Sequence, residues 1–144
     1  GKIYDIFDGE GLTEKIRTSG NTDGIRVMLE LADRDFEGLA FINLVDFDMI
    51  YGHRRNIPGY AAAASEFDRG LGVLLQKLRP GDVVMITGDH GCEYVPLLVA
   101  GPEVKKDNNL GTVLGFGAIG KTICTALGVD AKLDGQDLAA KIFD

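Results

Sequence analysis

The chain holds two histidines, and each stands within a few residues of an aspartate that closes an apolar run. In LVDFDMIYGHRR the cluster is Asp46, Asp48 and His53; in VMITGDHG it is Asp89 and His90. Carboxylate oxygens and a neutral imidazole nitrogen are ligand types for a divalent cation such as zinc or manganese. One turn of chain between Asp48 and His53 would carry both groups back to a single point. The plain alternative makes the aspartates strand-end and turn residues and leaves His53 on the surface. A second copy of the arrangement weakens that alternative, because two such strand ends side by side would bring four ligand groups together.

A third stretch has the look of a nucleotide loop. GFGAIGKT, residues 115–122, fits both G-x-x-x-x-G-K-T and G-x-G-x-x-G. Either motif needs a buried strand running straight into the glycines, whereas KKDNNLGTVL precedes them. A nucleotide-binding loop at 115–122 is therefore the minor alternative, and a glycine-rich entry to a helix carrying Ile119, Ile123 and Leu127 is the plainer reading. Cys92 could supply a soft third ligand next to His90, although thiolate suits an oxygen-rich site poorly. Lys2, Arg54 and Arg55 are the cations available to a phosphate, with an exposed, solvated role the default for the two arginines.

Positioning these groups requires strands that end where they begin. KIYDIF reads as a short strand, and Asn21 or Thr22 as the cap of a helix bearing Ile25, Met28, Leu29 and Ala32. GLAFINLVDF, residues 38–47, reads as a strand buried on both faces. From Pro58 a long helix carries Tyr60, Ala64, Phe67, Leu71, Leu74, Leu75 and Leu78. DVVMITGD and YVPLLVAG read as further strands, and GAIGKTICTALGV and GQDLAAKIFD as closing helices. Alternating strands and helices predict an α/β fold, a layered and mostly parallel sheet flanked by helices, with ligands collecting at the carboxyl ends of the strands.

Composition narrows the partners. At 144 residues the chain fits a single domain, and 45% hydrophobic with 26% charged residues is ordinary for a globular protein. The net charge of −7 argues against nucleic acid and against an anionic membrane surface, both of which need a basic stripe. Two cysteines make no disulfide framework, and no stretch resembles a signal peptide or a membrane span, so a cytoplasmic location and a small-molecule partner are expected.

Taken in order, GKIYDIFDGEGLTEKIRTSGNTDG, FINLVDFDMIYGHRRNIPGYAAAASEFD, ITGDHG and EYVPLLVAGP resemble the carboxyl-terminal part of the catalytic core of the phosphopentomutases, in the alkaline phosphatase superfamily. The resemblance covers nearly all of residues 1 to 102 and continues more loosely to the end. It implies an isomerase of nucleoside salvage that interconverts (deoxy)ribose 1-phosphate and (deoxy)ribose 5-phosphate. It implies a pair of manganese ions, or another divalent metal, flanking a phosphorylated threonine. By position, Asp48 and His53 would bind one ion and Asp89 and His90 the other. Asp46 would support them, and Lys2 would lie near the substrate phosphate. The family's cap domain, its amino-terminal metal-binding aspartate and its nucleophilic threonine precede this stretch, so no catalytic nucleophile is assigned here. Where the family runs from DHG through a longer, histidine-bearing loop into EYVP, this sequence has only Cys92. With four ligands and no nucleophile, the chain is expected to be inactive unaided. The alternatives are another phosphomutase or phosphatase of the superfamily, against which GHRRNIPGY and GKIYDIFDGEG argue, and a non-catalytic core fragment.

Overall fold

The computed structural model describes residues 1–90 and 94–143. Their contacts group into two compact units, Gly1–Lys77 and Leu78–Asp144.

The first unit is helical. A one-turn helix α1 (Ile3–Ile6) is followed by a connector, α2 (Asn21–Ala32), a second irregular stretch, a π turn (Phe47–Gly52) and the long α3 (Ile57–Lys77). Helix α2 begins where Asp23 reaches back to accept the Ser19 N–H at 2.9 Å. That bond first, and Arg26 second, hold the Asp23 carboxyl below the usual carboxylate range. The bond's contribution is therefore present above the unfolded carboxyl's value and is lost as pH falls through the lowered folded one. Asn56 caps α3, its side-chain oxygen accepting the Gly59 N–H at 3.0 Å. The helices α2 and α3 pack against each other with Ile25 facing Gly70, and Val27, Met28, Ala63 and Leu74 are also buried in this unit. A Thr22–Glu66 hydrogen bond of 2.7 Å and a Lys77–Asp33 ion pair flank this core.

The second unit contains β1 (Val84–Thr87), β2 (Leu97–Ala100), α4 (Gly117–Ala126) and the short α5 (Ala139–Ile142). Val84 faces Ala100 and Thr87 faces Leu97 in an antiparallel pair. The core is Ala118, Leu138 and Ile142, with Met85, Leu97 and Val99 of the hairpin packed against it. Asp137 accepts from Thr125 Oγ1 at 2.7 Å and from the Ala139 N–H at 2.8 Å, which joins α4 to the start of α5. Among the described residues no helix is long and apolar enough to cross a membrane.

Three sequence expectations are corrected. Among the described residues the sheet is one antiparallel pair, not a mostly parallel layer. Only residues 88–96 separate β1 from β2, and a parallel pair needs a crossover of roughly a dozen residues or more. KIYDIF forms α1 rather than a strand. Residues 38–46 form no strand: Leu39 and Phe41 are 59% and 58% exposed, with Phe41 edge-on to Phe7 at 6.4 Å. An apolar run specifies burial, but a ladder also needs a neighbouring strand to take up its hydrogen bonds.

The buried face of α3 is also displaced from the expected one. Ala63, Gly70 and Leu74 are buried, whereas Ala64 and Leu75 are exposed. Gly70 is the closest approach: a Cβ there would lie 2.5 Å from Ile25 Cγ2. We expect Gly70→Ala to destabilise the chain by about 1–3 kcal/mol through overpacking. Gly72→Ala, which meets nothing within 4 Å, should stabilise it by up to about 1 kcal/mol. Urea denaturation of the two variants checks the pair, and equal effects would contradict the packing.

Candidate metal-binding site

Asp48 and His53 come together because the chain between them is wound as a π turn. In an α-helix, side chains five residues apart point about 140° away from each other. Here the His53 N–H donates to the Asp48 carbonyl at 3.0 Å, an i→i+5 bond that widens the turn and removes most of that angle. His53 Nε2 then lies 3.2 Å from Asp48 Oδ2. The wide turn also needs room inside. A Cβ at Gly52 would stand 3.0 Å from the Phe47 carbonyl oxygen and 3.3 Å from Asp48 Oδ1. Phe47 packs on Tyr60 of α3, ring centroids 5.0 Å apart, so the long helix supports the turn from below.

Asp46 faces the other way. Its carboxylate accepts the Asn21 N–H at 2.7 Å, and its own N–H donates to Asn21 Oδ1 at 3.0 Å. The two residues are 25 apart in sequence, and the bonds join the start of α2 to the start of the π turn. Asn21 is therefore not the helix cap expected from the sequence. Gly20 occupies that position, and the Asp46 carboxylate caps the helix from outside. Neighbour patterns could not have revealed this pair. Lys2 is exposed, and the backbone of Gly1 beside it lies against Asn43, on the segment leading to Asp46. Arg54 and Arg55 are also exposed.

In the second unit, Asp89 and His90 follow β1 directly, past Gly88, with His90 Nε2 3.6 Å from Asp89 Oδ1. Cys92, the suggested third ligand and the place of the shortened loop, lies outside the described residues. Among the described residues, no group of three or more His, Cys, Asp or Glu side chains is placed to hold a metal ion.

The donor sets suit a cation. A nitrogen and an oxygen each about 2.1 Å from one ion sit about 3.0–3.4 Å apart in octahedral or tetrahedral geometry. The Asp48–His53 separation falls in that interval, and the Asp89–His90 pair needs a small side-chain rotation to enter it. Both pairs are well exposed; the side chains of Asp48 and His53 are 43% and 75% accessible. Exposed ion pairs contribute about 0–1 kcal/mol to folding, so these four side chains are spared any large structural duty.

The glycine-rich stretch at 115–122 has a different role. The preceding residues 110–114 are irregular, and no strand feeds the glycines. Thr122, which a phosphate loop would offer to a metal, is 1% exposed. Its hydroxyl donates to the Ala118 carbonyl at 2.7 Å and accepts the Leu138 N–H at 2.9 Å. Gly117 sits so close to the Asp134 carbonyl that no Cβ fits. Thr122→Val would leave the Leu138 N–H unpaired, an expected loss of about 1–3 kcal/mol in chemical denaturation. Added ATP should leave the melting temperature of the unmodified chain unchanged; a rise would restore the nucleotide alternative.

A profile of the Metalloenzyme superfamily matches residues 4–131 of the chain. The phosphopentomutase of Acetivibrio thermocellus is 46% identical over 99% of this chain and 40% of its own length. That of Carboxydothermus hydrogenoformans is 47% identical over 90% of this chain and 36% of its own. The phosphopentomutase of Lachnoclostridium phytofermentans is 44% identical over 94% and 38%. The chain thus spans about 40% of the length of the curated relatives it matches.

Proposed function

The chain belongs to the Metalloenzyme superfamily, and from that premise we propose that it is the carboxyl-terminal, metal-binding portion of a phosphopentomutase core. The reaction is the interconversion of (deoxy)ribose 1-phosphate and (deoxy)ribose 5-phosphate. The observation that carries this reading is the pair of Asp–His corners, each able to present one oxygen and one nitrogen to its own ion, in a chain so similar to proteins named phosphopentomutase.

Asp48 and His53 hold one divalent ion and Asp89 and His90 another, manganese being the proposed metal. When bound, such cations neutralise a transferring phosphoryl group and stabilise its attacking and leaving oxygens. The chain's own residues bind and orient. The π turn fixes Asp48 against His53 without drawing on side-chain flexibility, and Gly52 leaves the Asp48 carboxylate the space it occupies. Lys2 contributes a mobile ammonium to the phosphate of the sugar, kept near the ligand segment by the packing of Gly1 on Asn43.

Manganese titration by calorimetry tests the reading. Asp48→Ala and Asp89→Ala should each weaken binding while leaving far-UV circular dichroism unchanged, and unaltered manganese binding in both variants would sink the assignment. Manganese at about 100 times its dissociation constant should stabilise the folded chain by about 2.7 kcal/mol for each site filled, a gain that the Asp48→Ala/Asp89→Ala double variant should lose. Conversion of ribose 1-phosphate, followed in the full-length protein, tests the substrate.

A further inference from the structure

Asn21 is 4% exposed, and it meets Asp46 through two bonds in opposite directions. Its Nδ2, also buried, has no hydrogen-bond partner among the described residues. An unpaired buried amide donor costs about 1–3 kcal/mol. A helix start selected for stability alone would be met by a serine, threonine or aspartate cap, which leaves no such donor. The helix forgoes that solution. Gly20, at the cap position, is extended with φ 164, a conformation open to any residue. What excludes a side chain there is Asp46: a Cβ on Gly20 would lie 2.7 Å from Asp46 Oδ2.

The cap position is thus vacated so that a carboxylate from another segment can enter it, close to the positive end of a 12-residue helix. Once Asp46 is docked, the direction of the next residues is set. Successive residues of a π turn rotate by about 80°, so a side chain two positions on leaves the turn on nearly the opposite side. Asp46 is half-buried against α2, and Asp48 emerges into solvent beside His53.

We propose that Asn21 is a positioning residue for the Asp48–His53 metal pair, acting through Asp46, and that the clasp and the bare Gly20 exist to set the rotation of the π turn. The proposal rests on the reading that Asp48 and His53 ligate a divalent cation. Asn21 touches neither metal nor substrate. Its amide oxygen accepts the Asp46 N–H, and its main-chain N–H donates to the Asp46 carboxylate.

The test reads manganese affinity at this pair alone, by electron paramagnetic resonance of free manganese, in the whole chain carrying Asp89→Ala and His90→Ala. In that background Asn21→Ala should weaken binding about 10- to 100-fold, the size of effect seen when the support of a ligand is removed. Asp46→Asn, which keeps an oxygen to accept the Asn21 N–H, should retain most of the affinity. Ile25→Val lowers stability through the α2–α3 core and should leave affinity unchanged at a comparable shift in unfolding midpoint. If Asn21→Ala does not fold, Gly20→Ala, which displaces the Asp46 carboxylate and removes no polar group, must show the same loss of affinity. Unchanged affinity in the folded Asn21 or Gly20 variant, with Asp48→Ala abolishing binding, overturns the positioning role alone. That role is equally overturned if Ile25→Val weakens binding as much as Asn21→Ala. No manganese binding by the background chain overturns the metal reading and the proposal with it.

Discussion

The hydrogen bond from the His53 N–H to the Asp48 carbonyl is the constraint on which the Asp48–His53 pair depends. It replaces an α-helical turn by a wider one, and a wide turn is seldom stable by itself because its hydrogen bonds close a looser ring. The surroundings compensate from three directions. Phe47 is held by the Tyr60 ring, the chain beyond His53 is received by the Asn56 cap of α3, and Asp46 is tied to Asn21. Arg55, at φ 51, turns the chain from the π turn into that cap. Each contact acts on a residue next to the pair and none acts on the Asp48 or His53 side chain. The imidazole and carboxylate are oriented by backbone geometry, and their outer faces remain open to solvent.

What could be read from the sequence was local, and what could not was set by distant partners. The short spacings of Asp48–His53 and Asp89–His90 pointed to local contacts, although the first also needs the π turn, which the spacing did not announce. Helices α2 and α3 were legible because Ile25, Met28 and Leu74 recur at helical intervals on buried faces. The two strands were visible as apolar runs, but their direction was not. That depended on the shortness of residues 88–96, a property of the connection and not of either strand. Residues 38–46 mark the limit of such reasoning. FINLVDF is apolar enough for a buried strand, yet no described strand lies alongside to pair with it. Leu44 instead packs onto Gly24 of α2. The Asn21–Asp46 clasp was invisible for the same reason, since an asparagine and an aspartate 25 residues apart carry no joint signal.

The contrast between Thr122 and the Asp–His pairs shows why a motif must be judged by what its polar atoms already bind. A threonine hydroxyl has one proton to donate and lone pairs to accept with. In Thr122 the proton goes to the Ala118 carbonyl and a lone pair takes the Leu138 N–H, both inside the core of the second unit. The G-x-x-x-x-G-K-T pattern is therefore satisfied in letters and occupied by packing. Gly117, which lies between the pattern's two glycines, admits the Asp134 carbonyl against the start of α4. At Asp48 and His53 the situation is reversed. Asp48 Oδ2 and His53 Nε2 are committed to each other, across a contact that a cation could take over, and both side chains are well exposed. Burial with every bond made describes a structural group. Exposure, in a pair oriented by a backbone turn that is unusual and independently braced, describes groups with little structural duty, which is what the proposed role as ligands requires.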